Sequence, residues 1–336
     1  MSSEQRPPRS TDGMTAPAQE PSAARLVVPP LSFPVPARLH PDAVELEERT
    51  LAWLRDFGII RDAADEAYLR HSTLGRTYAW MIPEGDTERV LIATQFCVWA
   101  TVQDDRYTEG LGLGGRTTAL SAHLLACESI AEDPHAATPG ATPVEEAYRD
   151  LFARLEKAAT PQQLLRIRKG MLHYSVGAAA DAAYTAQRLV PPVPVYRRIR
   201  HLIAHLHHHF VLTEVAQGFE MPTALLLDPE VRELTDLAIR VIGLTNDVYG
   251  CPRDVERRHI ANLPMVLAHH HGCSVQEGID RTAAEVKRDT ARFTALARHL
   301  RERRIEVLTH YVRGLEDQIA GHLAWLHETG RYDIGL

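Results

Sequence analysis

Residues 91–110 read LIATQFCVWATVQDDRYTEG, and the prediction of the fold starts from this stretch. A run without any charged side chain ends in the acidic residues Asp104, Asp105 and Glu109. The run has the length and apolar character of a buried helix, and the glycines that follow it release the chain into a loop. The stretch therefore predicts a largely buried helix with carboxylates at its carboxyl end.

The apolar side of this helix leads to the carboxylates. Side chains three, four and eight positions apart share a side of a helix, so we expect Thr101, Ala100 and Phe96 to lie below Asp104. Mg²⁺ is a hard cation that takes carboxylate, phosphate and water oxygens as ligands. An apolar wall below a metal-binding rim suits an aliphatic substrate with a diphosphate head. A solvated acidic helix end without any ligand is the alternative that this pattern alone leaves open.

Most of the chain has the same helical character. Val/Ile/Thr alternation of the strand type is scarce, and no internal repeat is visible. The sequence therefore predicts an all-α fold, a single-domain α-helical bundle of about ten or eleven helices. The amphipathic stretches are 41–57, 61–71, 87–108, 117–131, 144–157, 161–189, 194–217, 229–250, 275–300 and 303–328.

Composition separates a tail from this helical domain. Residues 1–37 are rich in Pro, Ser and Ala, which predicts a mostly disordered tail, and residues 38–336 form the predicted domain. With 45% hydrophobic residues and a net charge of −7, the chain can bury a large core and has no basic surface for nucleic acid.

Cysteine usage and hydropathy bear on the compartment. The four cysteines fit neither a zinc site nor a disulfide framework. No apolar run approaches the ~18 residues of a membrane span, and the first residues lack the apolar core of a secretory signal. We therefore expect a cytoplasmic protein without stable membrane insertion.

A second acidic pattern lies in residues 241–258, VIGLTNDVYGCPRDVERR. Positions four apart share one side of a helix, so Asn246, Gly250 and Asp254 are expected on the same side. The Asn oxygen and the carboxylate can chelate one Mg²⁺ there, and Arg253 reaches the same side, where a guanidinium suits a diphosphate oxygen. A helix cap at Asn246 followed by a solvated charged surface is the competing interpretation.

Together the two patterns resemble a known family. The sequence Asp104-Asp105-x-x-x-Glu109 resembles the aspartate-rich motif of bacterial class I terpene synthases. The stretch from Asn246 to Asp254 resembles their second metal motif, Asn-Asp-x-x-Ser-x-x-Lys/Arg-Glu. The resemblance covers the chain from about residue 30 onward. It implies the class I terpenoid synthase fold, with a central apolar pocket, and a lyase (a terpene cyclase of secondary metabolism) that ionises a linear isoprenyl diphosphate.

The resemblance also implies roles for individual residues. Three Mg²⁺ ions are expected, with Mn²⁺ as the alternative ion. The implied metal-site residues are Asp104, Asp105, Glu109, Asn246, Gly250 and Asp254. The implied catalytic residues are Asp104, Arg200, Arg331 and Tyr332. The implied substrate-binding residues are Arg200 as diphosphate sensor, Arg253, Arg331 and Tyr332 on the diphosphate, Ala204 at a helix break, and Phe96, Ala100 and Thr101 on the pocket wall.

Two positions depart from the second motif. Gly250 replaces the usual Ser and Asp254 replaces the usual Glu, so weaker metal binding is expected. Ala100 and Thr101 stand where the family often has bulky aromatic residues, which predicts either a roomier pocket or one filled from another helix. Farnesyl diphosphate is the first expectation for the substrate. Geranyl or 2-methylgeranyl diphosphate is the alternative, and geranylgeranyl diphosphate follows.

Three other interpretations compete with this one. A chain-elongating prenyltransferase would carry a second aspartate-rich motif instead of the Asn type. A histidine-rich metal-binding protein is suggested by His201, His205 and residues 207–209. The third interpretation is a catalytically silent helical protein, in which Gly250 and Asp254 mark a metal motif that has lost its function. A homodimer is common in the family, although no interface for one is visible in the sequence.

Overall fold

The computed structural model describes residues 26–109, 116–257, 259 and 261–333, except for the side chains of Thr108 and Glu109. This part of the chain is all-α and contains no strand, as predicted. A 3₁₀ turn, Leu74–Arg76, and a π-helical turn, Asp104–Glu109, accompany the α-helices. The α-helices are α1 Ala43–Asp56, α2 Ala63–His71, α3 Thr77–Met81, α4 Thr87–Gln103, α5 Thr117–Glu132, α6 Pro143–Ala158, α7 Pro161–Gln187, α8 Val193–Ile203, α9 Leu206–Gln217, α10 Thr223–Leu226, α11 Pro229–Glu256, α12 Leu263–His271, α13 Val275–Glu302 and α14 Glu306–Glu328.

Helix α4 lies at the centre of the bundle. It packs against α1, α3, α6 and α9, which explains why its sequence carries no charge over most of its length. The side chain of Asp86 caps its first turn by accepting a hydrogen bond from the Arg89 amide. Trp99 anchors its last turns because its indole N–H donates to the Val144 carbonyl at 2.7 Å. The end of α4 that carries the carboxylates is therefore held in a fixed position in the bundle.

Helix α14 approaches α3 more closely than side chains permit. A Cβ atom added at Gly321 would lie 2.2 Å from the carbonyl oxygen of Trp80. Only glycine can occupy this position without moving the helix, since real Cβ contacts are far longer. The backbone of α14 therefore rests directly on the end of α3.

Three helical predictions need correction. The stretch 194–217 forms two helices, because the chain turns at Ala204 and His205, and His205 adopts a left-handed φ of 60°. Helix α11 continues past the predicted amphipathic stretch, 229–250, to Glu256 with Pro252 inside it. The short helices α3, α10 and α12 were not predicted.

The chain before α1 packs on the bundle. Leu31 is buried, and Phe33 contacts Phe293 with ring centroids 5.9 Å apart. The Val27 amide donates to Gln276 at 2.8 Å. The packed domain therefore begins before the predicted boundary at residue 37, and the rest of the predicted tail, residues 1–25, lies outside the described residues. Within the described chain, no helix is long and apolar enough to cross a membrane.

Candidate active site

A cavity of about 200 Å³ lies between α3, α4, α8, α9, α11 and α14. Its two ends differ in chemistry. The deep part is mainly apolar and is lined by Leu74, Met81, Cys97, Ala100, Ile203, Leu206, Ile242 and Trp325, among others. The rim is polar and is lined by Asp104, Arg200, Asn246, Asp254, Arg253, Arg331 and Tyr332. The two acidic stretches of the sequence therefore meet at one end of an apolar cavity.

The adjacent carboxylates Asp104 and Asp105 have different surroundings. They begin a π-helical turn, a rare geometry that is frequent at functional sites. Asp104 lines the cavity and accepts a hydrogen bond from the Tyr174 hydroxyl at 3.3 Å. Asp105 accepts two hydrogen bonds from Arg331, at 2.9 and 2.7 Å. Asp104 is thus the carboxylate that a ligand in the cavity can reach, whereas the predicted Glu109 side chain lies outside the described residues.

The Asp105–Arg331 pair holds the end of the chain against the rim. Burial alone would raise the pKa of Asp105, but the charge and hydrogen bonds of Arg331 lower it below its ordinary value. Burial alone would lower the pKa of Arg331, but Asp105 raises it well above its ordinary value. Both groups are therefore charged, and Arg331 also donates to the Tyr68 hydroxyl at 2.9 Å. The predicted closing residues Arg331 and Tyr332 lie at the site.

Arg200 is fixed by a buried partner that the sequence prediction missed. Its Nε donates to Asp247 at 2.6 Å, and its Nη2 donates to the Gly243 carbonyl at 2.9 Å and to Asn246 Oδ1 at 3.0 Å. Burial lowers the pKa of Arg200, but the charge of Asp247 outweighs it and raises the pKa above its ordinary value. Asp247 in turn accepts from the Tyr196 hydroxyl at 2.7 Å. Arg200 is therefore charged and oriented before any ligand binds.

The residues of the second motif share one side of α11, as predicted. Asn246 donates to the Tyr332 hydroxyl at 2.6 Å, and Asp254 accepts from Asn262 at 2.8 Å. A Cβ atom added at Gly250 would lie 3.4 Å from a ring carbon of Tyr332. This is an ordinary van der Waals distance, so the Tyr332 ring packs over the helix at Gly250 and leaves room for a small side chain there.

The donor set at the rim fits a hard cation. Asp104, Asn246 and Asp254 bring carboxylate and amide oxygens to the same cavity, and such oxygens are the ligands that Mg²⁺ prefers. Within the described residues, no three His, Cys, Asp or Glu side chains converge closely enough to hold an ion by themselves. A bound ion would therefore take part of its ligands from the substrate or from water.

Arg253 carries unused hydrogen-bond donors. The side chain is 5% exposed, and neither Nε nor Nη2 makes a hydrogen bond to any described residue. Its Nη2 lies 3.6 Å from Asp105, which is an ion-pair distance rather than a hydrogen bond. Unsatisfied donors on a buried guanidinium favour an anionic ligand, because burial without a partner is costly.

On the pocket wall, the structure separates the predicted residues. Ala100 and Thr101 line the cavity, and Ala204 lies at the predicted helix break beside it. Phe96 does not line the cavity, since its ring is fully buried against Trp99 and other aromatic rings. Eight positions correspond to a rotation of about 80° from Asp104, at the margin of the helix side, which explains the difference.

The histidine-rich stretch contributes to the core and the wall. His208 packs against Phe96 with ring centroids 5.2 Å apart, while His205 and His209 line the cavity. His322, on α14, was not singled out from the sequence but also lines it. His322 could have been identified from the sequence only if the side of α14 that faces the cavity had been known. No zinc site is formed by these histidines within the described chain.

Comparison with known proteins places these features in context. The family model described as terpene synthase family 2, C-terminal metal binding, matches residues 95–292. The (+)-corvol ether B/A synthase of Kitasatospora setae, named as cyclising (2E,6E)-farnesyl diphosphate, is 26% identical over 91% of this chain and 95% of its own. The 2-methylisoborneol synthase of Streptomyces ambofaciens is 28% identical over 98% of this chain and 76% of its own. The crystal structure of the SVS_A2 protein from ancestral sequence reconstruction has a TM-score of 0.81 and 26% identity, covering 90% of each chain.

Proposed function

The chain belongs to terpene synthase family 2, and we propose that it ionises farnesyl diphosphate at the cavity rim and cyclises the resulting carbocation inside the cavity. It is a class I terpene synthase, a lyase acting on isoprenyl diphosphates. One observation carries the proposal for the site. Oriented cationic donors and oxygen ligands stand together at one end of an apolar cavity, which matches a substrate with a diphosphate head and a hydrocarbon tail.

The identity of the metal ion and the number of ions are part of the proposal. The family is metal-binding, and we propose Mg²⁺, with three ions as the expected number and Mn²⁺ as the alternative. Asp104, Asn246 and Asp254 would hold the ions. When bound, Mg²⁺ would offset the charge of the diphosphate and stabilise it as a leaving group. Asp105 is not proposed as a ligand, because both of its oxygens accept from Arg331.

The side chains of this protein supply the remaining steps. Arg253 and Arg200 would bind diphosphate oxygens, since both guanidinium groups border the cavity and that of Arg200 is already oriented by Asp247. The carbon–oxygen bond breaks and its electron pair leaves with the diphosphate, whose growing charge these guanidinium groups stabilise. Arg331 and Tyr332 would cover the diphosphate. The apolar wall then keeps bulk water from the cation.

The choice of farnesyl diphosphate rests on likeness. A relative that aligns with nearly all of this chain is named for cyclising it. A second candidate, 2-methylgeranyl diphosphate, is favoured by one observation. The cavity of about 200 Å³ is not much larger than the ~150 Å³ of an engineered cavity that binds benzene, so a shorter chain fits with less rearrangement. The likeness to a 2-methylisoborneol synthase agrees with this candidate. A homodimer and a cytoplasmic location stay predictions.

Product analysis tests the proposal. Purified protein is incubated with geranyl, 2-methylgeranyl, farnesyl and geranylgeranyl diphosphates, with Mg²⁺, Mn²⁺ or EDTA, and extracts are analysed by gas chromatography with mass detection. We expect a cyclic terpene from farnesyl diphosphate that is absent with EDTA. A product from 2-methylgeranyl diphosphate alone would replace the substrate proposal with the second candidate.

Matched variants test the rim. Asp104→Asn should lower diphosphate release by ~10²-fold or more, because it removes a charged ligand from the site. Asp280→Asn, an exposed position on α13, is the control and should keep the native rate. If folded Asp104→Asn protein keeps the native rate, the assignment of the rim as the ionisation site is wrong.

A further inference from the structure

His322 is the starting point of a further inference, which rests on the proposed function. The residue lies on α14, is 6% exposed, and borders the cavity near Trp325, whose ring centroid is 6.0 Å away. None of the contacts described above uses its ring nitrogens. A buried polar side chain on an apolar wall requires an explanation, because unpaired buried polar groups are costly.

The ring nitrogens of His322 are open, unlike those of the neighbouring histidines. Neither ring nitrogen forms a hydrogen bond with a described residue. Both nitrogens border open space and are not fully enclosed by protein atoms. By contrast, both nitrogens of His205 and the Nε2 of His209 are sealed from open space. Among these three histidines, His322 is therefore the one with both ring nitrogens open to a molecule beside it.

His322 also separates the main cavity from a smaller one. The smaller cavity has a volume of about 10 Å³ and lies between α11, α13, α14 and the segment that precedes α1. Its wall includes Ser32, Thr245 and Thr290. This volume is about that needed to hold one water molecule, and the three hydroxyl groups are suitable partners for it. One ring thus borders both the main cavity and a second, small space beside the segment that precedes α1.

The ring is neutral and carries a lone pair. Burial, and then the positive charge of Arg200, lower the pKa of His322 to about 3. Other polar groups on the deep wall are less suited to accept a proton. The Thr101 hydroxyl donates to its own helix, at the Cys97 carbonyl, and burial raises the pKa of Cys97 to about 12, so that it stays a thiol.

We propose that His322 ends the reaction by accepting a proton from the last carbocation. A C–H bond next to the cationic carbon breaks, its electron pair forms a carbon–carbon double bond, and the proton moves to the lone pair of the imidazole. The imidazolium gives up its proton to bulk water when the product and diphosphate leave the cavity, which restores the neutral ring. The product is an alkene, and no oxidant or other reactant is needed.

The experiment measures two quantities. The rate of diphosphate release reports how fast the cation forms, and the distribution of terpene products reports how the cation reacts afterwards. His322→Phe keeps a ring of similar size without a lone pair, and His322→Gln keeps polarity with little basicity. His310→Phe, the same change at an exposed position of α14, is the control. Diphosphate release and the distribution of terpene products are measured for each protein, together with the melting temperature.

We expect His310→Phe to keep the native rate of diphosphate release and the native products, whereas both His322 variants should change the products. The ratio of the main alkene to other products should fall by about tenfold or more. This is below the ~10²-fold effect of a positioned base, since the diphosphate and water can replace it in part. An unchanged product ratio in either folded variant overturns the proposal. A main native product that is an alcohol also overturns it. If the native protein releases no diphosphate from any substrate, the proposed function itself fails.

Discussion

Acidification should unfold this protein at a pH where most domains are stable. Burial lowers the pKa of His205, His207 and His322 to about 3 each and also lowers those of His208 and His209 well below their ordinary value. An unfolded histidine has a pKa of about 6.5. Below that pH these histidines bind protons in the unfolded chain, whereas in the folded chain they stay neutral. The free energy of unfolding therefore falls as the pH falls from about 6.5 toward 3.

The magnitude follows from the same values. Between pH 7.5 and 5.5, each such histidine costs about 1.4 kcal/mol of folding stability. The three with a pKa of about 3 together cost about 4 kcal/mol, and His208 and His209 add to this loss. A typical domain has ~5–15 kcal/mol in total. Glu214 and Asp317 act in the opposite direction, because burial raises the pKa of each carboxyl.

Urea unfolding at pH 7.5, 6.5 and 5.5, followed by tryptophan fluorescence, measures this loss. His207→Gln removes one of the five groups and should reduce the loss by about 1.4 kcal/mol between pH 7.5 and 5.5. His271→Gln, at an exposed position at the end of α12, should keep the full loss. A native free energy of unfolding that differs by less than about 1 kcal/mol between pH 7.5 and 5.5 would refute the reasoning.

Three further predictions concern the rim. Gly250→Ser should fold and should lower the half-saturating Mg²⁺ concentration by about fivefold, or ~1 kcal/mol, in an activity titration, since it restores a hydroxyl ligand; an unchanged value would mean that position 250 faces no ion. Asp247→Asn should slow diphosphate release by about tenfold to a hundredfold in a steady-state assay, because Arg200 loses its charged partner. Native kinetics there would show that Arg200 needs no such orientation. Asp105→Asn should cost about 3 kcal/mol in urea unfolding by leaving Arg331 buried without its anion, and a loss below about 1 kcal/mol would count against that pair.

The helices could be predicted because their signals are local. Residues 91–103 follow the helical period and lack charge, so α4 and its acidic end were evident from the sequence. The break after Ala204 was implied by the family resemblance and not by the local sequence. No Gly or Pro marks it, and His205 adopts a left-handed conformation that the tertiary structure imposes. Helix α12, at nine residues, was too short and too apolar for a periodic pattern to stand out.

The site shows the same division between local and distant information. Asn246, Gly250 and Asp254 could be placed on one side of α11 because helical geometry relates them. The contact between Tyr174 and Asp104 joins residues seventy positions apart, and no local pattern predicts it. Asp104 and Asp105 have different surroundings because they begin a π-helical turn, and no pattern in the sequence predicts that turn.

The glycine contact beneath α14 has a consequence for how this enzyme could change. Because Gly321 rests against the Trp80 carbonyl, an alanine there would push the helix outward by about 1 Å or more. Helix α14 carries His322 and Trp325 on the cavity wall. A single methyl group, added where no substrate is touched, would therefore enlarge the cavity and alter which hydrocarbon chain it can enclose.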